Sequence, residues 1–253
     1  MNRKQGRWLR GSIVMVVLWY LGGMPSLAFA NPELVETGRL LAKLLDTGRI
    51  VIGVNQDNIN DPTKGHKGFT PEVFERQVVV SFQKETGVDL HDLQHAKVPD
   101  PARPLLARLL SVSKETVASY QPVINIQGVK YKGLIPATFG TETAKRFRNW
   151  SNIYLKQTAP DQFLRNPKNK ADGYETEVMK IFASSASNDH ETIYSKTVPE
   201  EKSVRVLMPL YYEKACLACH GGPKGEKDIS GYEKEGGHEG QLAGAISVKL
   251  PLP

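Results

Sequence analysis

The run Cys216-Leu217-Ala218-Cys219-His220 carries two thiols separated by two residues and an imidazole directly after the second. That spacer sets the thiols about one helical turn apart, so both can add across the two vinyl groups of a single haem, and the adjoining imidazole then reaches the iron. The pattern predicts one covalently attached haem c, with Cys216 and Cys219 as attachment points and His220 as the axial ligand of the haem iron.

Other chemistries use the same residue types. A redox-active C-x-x-C belongs near the start of a βαβ unit, whereas this one follows a late strand and precedes Gly221-Gly222-Pro223. A structural zinc site needs four ligands, and no second C-x-x-C supplies the other two. A simple buried pair of cysteines is the remaining reading. The chain holds two cysteines, both in this motif, although exported chains of this size usually spend theirs on disulfides.

The far side of the iron is open in the sequence. Candidate sixth ligands are His66, His91, His95, His190, His238, Met179 and Met208. The histidines lie in polar or glycine-rich stretches, and the methionines on apolar faces that suit core packing equally well. Arg165, Lys168, Arg205, Tyr211 and Tyr212 are available to haem propionates, and also to solvent or sheet packing. No pair of residues is marked out for distal acid-base work, so a redox protein is expected rather than a turnover enzyme.

The elements that must position the motif begin after residue 30. Residues 1–30 read as an export signal: a basic stretch, an apolar stretch IVMVVLWYLG, and Ala28-Phe29-Ala30 as a small-x-small site with cleavage expected after Ala30. An uncleaved anchor over residues 13–30 is the rival, and the only route to a membrane. The signal holds four of the 33 basic residues and none of the 27 acidic ones, leaving 29 against 27. The apparent basicity belongs to the leader, so no nucleic-acid partner is expected. Residues 31–253 suit a single domain with a periplasmic location.

From Asn31 the chain reads helical, with Leu34, Leu41, Leu44, Leu45 and Ile52 on one stripe. Residues 58–68 are dense in turn formers. A second helix follows, with Thr70 as N-cap, Pro71 in the first helical position and Gly87 as the stop; Phe74, Val78, Val79, Val80 and Phe82 form its buried face. A short helix is expected over residues 104–111. Strand-like runs occupy 123–126, 153–155, 203–212 and 243–250. Val204, Val206 and Met208 alternate with Arg205, and Ile246, Val248 and Leu250 with Ser247 and Lys249, so the sheet is expected to be antiparallel with one dry face. Asp172 can cap a helix carrying Val178, Ile181 and Phe182. Helices first and strands later make the class α+β.

The stretch from Val204 to Leu252 around CLACH resembles the C-terminal half of a family of exported single-haem c-type proteins with a PAS-like fold. That family includes small cyanobacterial haem proteins and the extracytoplasmic sensor domains of histidine kinases and chemoreceptors. VIGVNQDNINDPTKGHKGFTPEVF and FRNWSNIYLKQTAPDQFLRNPKNKADGYETEVMKIF are similar to it as well, so the resemblance spans nearly all of the chain after the leader. It implies a central antiparallel sheet with flanking helices and the haem against the sheet, attached at Cys216 and Cys219 and ligated by His220. Gly221, Pro223, Asp228, Gly231 and Tyr232 match the family's loop. Some members use a cysteine thiolate as distal ligand, and this chain has no third cysteine, which favours an open or weakly held site admitting NO or CO. The expected function is a haem-based redox or small-gas (NO, CO or O2) sensor acting through an exported redox or signalling partner, with an electron carrier as the alternative. A pocket beside His220 is expected.

Overall fold

The computed structural model describes residues 31–184 and 192–253. The leader, its cleavage site and His190 lie outside the described residues. Helix α1, Pro32–Val54, begins where Asn31 accepts a hydrogen bond from the Glu33 amide and Pro32 needs no donor partner. More than the expected stripe is buried: Leu40, Leu41, Ala42, Leu44, Leu45, Val51 and Ile52 are all enclosed, because helices pack on one side of α1 and the sheet on another. Gly38 is where the sheet comes closest. A Cβ there would stand 2.7 Å from Cγ2 of Val206.

The short helix α2, Gln56–Asn60, takes the first residues of the expected turn region. Helix α3, Pro71–Thr86, follows its sequence signals: the Thr70 hydroxyl accepts from the Val73 amide at 3.3 Å, and Gly87 stops it in the left-handed conformation at φ 73°. Val80 departs from the expectation. It points to solvent, since the buried face runs through Phe74, Val78, Val79 and Phe82.

Helix α4, Ala102–Ile124, is far longer than the 104–111 segment and absorbs the first half of the strand expected at 123–126. Its buried stripe continues through Ser113 and Thr116, whose hydroxyls return to the Leu109 and Val112 carbonyls at 2.7 and 2.9 Å. Self-satisfied hydroxyls pack like small apolar groups, which hides the helical period from an apolar count. Helix α5, Pro136–Ser151, was not expected. Its inner face alternates Phe139 and Phe147 with Gly140, Thr143 and Ala144, and Thr143 bonds to Thr116 of α4 at 3.0 Å.

Strand β1, Tyr154–Thr158, is followed by helix α6, Gly173–Ser184. Asp172 and Glu175 close a reciprocal cap on α6, each side chain accepting the other's amide, at 2.7 and 3.0 Å. Val178 and Phe182 of α6 are buried as expected, but Ile181 is exposed. Strands β2, Tyr194–Val198, and β3, Ser203–Tyr211, are followed by the single turn α7, Leu217–His220, and by β4, Leu242–Pro251. The sheet is antiparallel throughout, in the order β1-β4-β3-β2.

The expectation of one dry face is corrected. Every residue of β3 is buried. Val204, Val206 and Met208 join the helical core on the α1 side, while Leu207, Tyr211 and Ala245 pack against Val178, Met179 and Phe182 of α6 on the other. Arg205, on the face opposite the expected dry one, is 1% exposed. It lies 2.8 Å from Asp172, 3.4 Å from Glu175 and 3.7 Å from Glu201, with the Tyr174 ring 4.5 Å away, and this company compensates the buried charge. Helices and an antiparallel sheet around a shared core make the fold α+β. No helix among the described residues is long and apolar enough to cross a membrane.

Candidate functional site

The two longest strands, β3 and β4, are neighbours in the sheet and in the chain, and the motif sits in the connection between them. Beyond Tyr211 the ladder extends by one more pair: the Tyr212 amide donates to the Gln241 carbonyl at 2.9 Å and the Gly240 amide to the Tyr212 carbonyl at 2.8 Å. The chain then leaves the sheet through a single tight turn, Lys214–Cys216, that runs into α7. Cys216 and Cys219 therefore lie on one continuous helical turn, both free and partly exposed, as the two-residue spacer requires.

Residues 221–240 fold back over this turn. The Gly237 amide donates to the His220 carbonyl at 2.8 Å and the Gly236 amide to the Gly221 carbonyl at 3.2 Å. A Cβ at Gly237 would stand 2.7 Å from Cε2 of Tyr212, so this loop approaches the ring as closely as a glycine allows. The fold-back brings Glu235 to His220, with Oε2 2.9 Å from Nδ1. Tyr212 stacks on the imidazole with centroids 5.1 Å apart, its hydroxyl lies 3.3 Å from the same Nδ1, and Phe163 packs T-shaped against the tyrosine ring at 5.6 Å.

Arg165 locks the assembly. It donates from Nε to Oε1 of Glu235, from Nη2 to Oε2 of Glu235 at 3.0 Å, from Nη1 to Asp228 at 2.6 Å, and to the carbonyl of Cys219 at 2.8 Å. One guanidinium thus joins the motif helix to two points of the loop, and Asp228 in turn accepts from the Ser230 amide at 2.8 Å and hydroxyl at 2.6 Å.

The electrostatics suit a neutral imidazole. Burial, helped by the Arg165 charge, pushes the His220 pKa down against the pull of Glu235. With the imidazole neutral and Nδ1–H given to Glu235, the lone pair is left on Nε2, as a metal-ligating histidine requires. Burial pushes both thiols up, Cys216 and Cys219 alike. A nucleophilic C-x-x-C is favoured by a lowered thiol pKa, and the burial of these thiols works against that. Among the described residues no cluster of three or more His, Cys, Asp or Glu side chains is arranged to hold a metal ion. Two thiols on one turn beside a neutral, oriented imidazole fit the donor set of a c-type haem.

The other candidates are dispersed. His66, His91, His95 and His238 are exposed, Met179 and Met208 are core residues, and among the described residues no hydrogen bond, ion pair or ring contact joins any of them to His220. Met179 and His238 share a cleft of about 520 Å³ with Phe163 and Tyr211. A second cleft of about 550 Å³ lies between α5 and β1 and includes Lys168. The expected pocket beside His220 is neither of these, as no motif residue lines them. Of the residues considered for propionates, Arg165 is committed to Glu235 and Asp228, Arg205 to the carboxylates beside α6, and Tyr212 to the imidazole face. Sequence reasoning missed Glu235 and Phe163, which carry no local signal and come to the site only when the loops close. It also missed Tyr131, whose hydroxyl is pushed up by burial and by the nearby charges of Asp228 and Cys219.

Residues 91–251, well over half of the chain, match the family model described as Tll0287-like. The chain belongs to the Tll0287-like family. The matched region contains the motif, its loop and the whole sheet, whereas α1, α2 and α3 precede it, including the VIGVNQDNINDPTKGHKGFTPEVF segment. A solved structure, "Crystal structure of the cyanobacterial heme-protein Tll0287", is similar at 17% identity and a TM-score of 0.40, covering 58% of this chain and 91% of that one. A comparison with curated proteins finds no match.

Proposed function

We infer that this Tll0287-like protein is an exported, periplasmic, single-haem c-type protein, with the haem attached through Cys216 and Cys219 and ligated by His220, that senses redox state or a small gas (NO, CO or O2) through a partner protein. The observation that carries the haem reading is the oriented imidazole: His220 follows two thiols on one helical turn, and Glu235 at 2.9 Å takes its Nδ1–H. The solved relative being described as a haem-protein supports it.

When bound, the haem supplies a reversible one-electron couple and an iron that can take up diatomic gases. Cys216 and Cys219 would hold it from a turn that runs without a break from Lys214 into α7. Tyr212 and Glu235 hold the imidazole plane and tautomer. The lack of a third cysteine supports a sixth position without a thiolate, where small ligands compete more easily. One observation favours the second reading, an electron carrier between exported redox proteins: the His220 side chain is 28% exposed, so the motif lies near the surface that a redox partner would meet.

The two readings separate in one spectrum. The reduced holoprotein is expected to shift its Soret band on addition of CO or NO. A six-coordinate ferrous spectrum that neither gas alters would refute the gas-sensing reading and leave the carrier.

A further inference from the structure

Most features outside the motif are already spent on the fold. The Arg205 cluster is a closed ion network, and neither cleft contains a motif residue. Glu235 differs, because a mostly buried carboxylate is placed on the nitrogen of His220 that a haem-ligating imidazole would leave free.

Three features make this contact directed. Glu235 is mostly buried, at 12% side-chain exposure, so water competes little for its oxygens. Arg165 grips both of those oxygens, and the same guanidinium holds the Cys219 carbonyl, which ties the carboxylate to the helix bearing the imidazole. Tyr212 stacks at 26° to the ring and blocks its rotation away from the acid. A carboxylate accepts the Nδ1 proton more strongly than a neutral carbonyl or water, and although Arg165 draws off part of its charge, the ring gains imidazolate character and Nε2 becomes a stronger donor. Stronger donation stabilises ferric over ferrous iron.

We propose that Glu235 is a positioning residue that fixes the tautomer of His220 and raises its donor strength, biasing the site towards the ferric state. This rests on the haem reading above. A tenfold bias between the two oxidation states corresponds, for a one-electron couple, to about 59 mV.

Glu235→Gln keeps the shape and an acceptor but removes the charge, while Glu235→Asp keeps the charge on a shorter stem. In the holoprotein, Glu235→Gln should raise the midpoint potential by about 59 mV and lower the iron–histidine stretching frequency of the five-coordinate ferrous form, with Glu235→Asp falling between it and the parent. Haem retained on a denaturing gel with both readouts unchanged in Glu235→Gln overturns the proposal. Absence of haem from the parent protein overturns instead the haem reading beneath it. If neither variant matures, the parent decides alone: a stretching frequency in the imidazolate range supports the role, and one in the neutral-imidazole range contradicts it.

Discussion

As the proposed haem ligand, His220 has to meet two opposed demands. It must be buried enough to stay neutral and keep its lone pair, yet a buried N–H left without a partner costs about 1–3 kcal/mol. Glu235 answers the second demand, and burial beside Arg165 answers the first. The arrangement is tightly packed around Tyr212, and that tightness is testable. Gly237→Ala would drive a Cβ to within 2.7 Å of a ring packed against both His220 and Phe163, so it should cost about 1–3 kcal/mol in denaturant unfolding. Gly173→Ala, where a Cβ meets nothing within 4 Å, should leave stability unchanged or slightly raised. Equal effects at the two positions would show that the contact is not the cause. At this scale the sequence was readable where chemistry is local: the motif is five consecutive residues, while Glu235 lies fifteen positions from its imidazole and Arg165 fifty-four from the carbonyl it holds.

Among elements, the loop of residues 221–240 is the one whose order depends on charge rather than on apolar burial. Asp228 is its anchor: burial alone would raise its pKa, but the Ser230 hydroxyl and Arg165 outweigh burial and hold it below the usual aspartate range. A carboxyl with a depressed folded-state pKa adds stability that is complete above its unfolded value and disappears as pH falls through the folded one. Amide exchange at Ser230 and Tyr232 should therefore accelerate as pH is lowered beneath the ordinary aspartate range, after correction for intrinsic rates, and Asp228→Asn should remove that dependence while making exchange faster at neutral pH. An unchanged profile in Asp228→Asn would assign the acid response elsewhere. Elements were legible where caps and apolar periods coincide, as at Thr70, Pro71 and Gly87 of α3. They were illegible where hydroxyls and small residues line the inner face, as at Ser113 and Thr116 of α4 or Gly140 and Thr143 of α5. The inward Arg205 misled in the opposite sense, since its carboxylate partners come from α6 and the turn before β3.

Across the whole molecule, α1 is the hub. It packs on α3, α4 and α5 and lies across β3 and β4, so the helical layer braces the two strands whose connection carries the motif. The α+β class followed from the order of helical and alternating segments, but the depth of the helical layer did not, because two of its longest members were hidden by polar inner residues. Covalent attachment of the proposed haem would fall at the end of that braced pair of strands. Its most direct test is the intact mass, under denaturing conditions, of the chain produced in a host that matures c-type haem. The expected result is a mass greater than the polypeptide by that of one haem, falling to the bare polypeptide in the Cys216→Ala, Cys219→Ala double variant. A parent chain at its bare polypeptide mass, or a haem that acid extraction removes intact, would contradict the account.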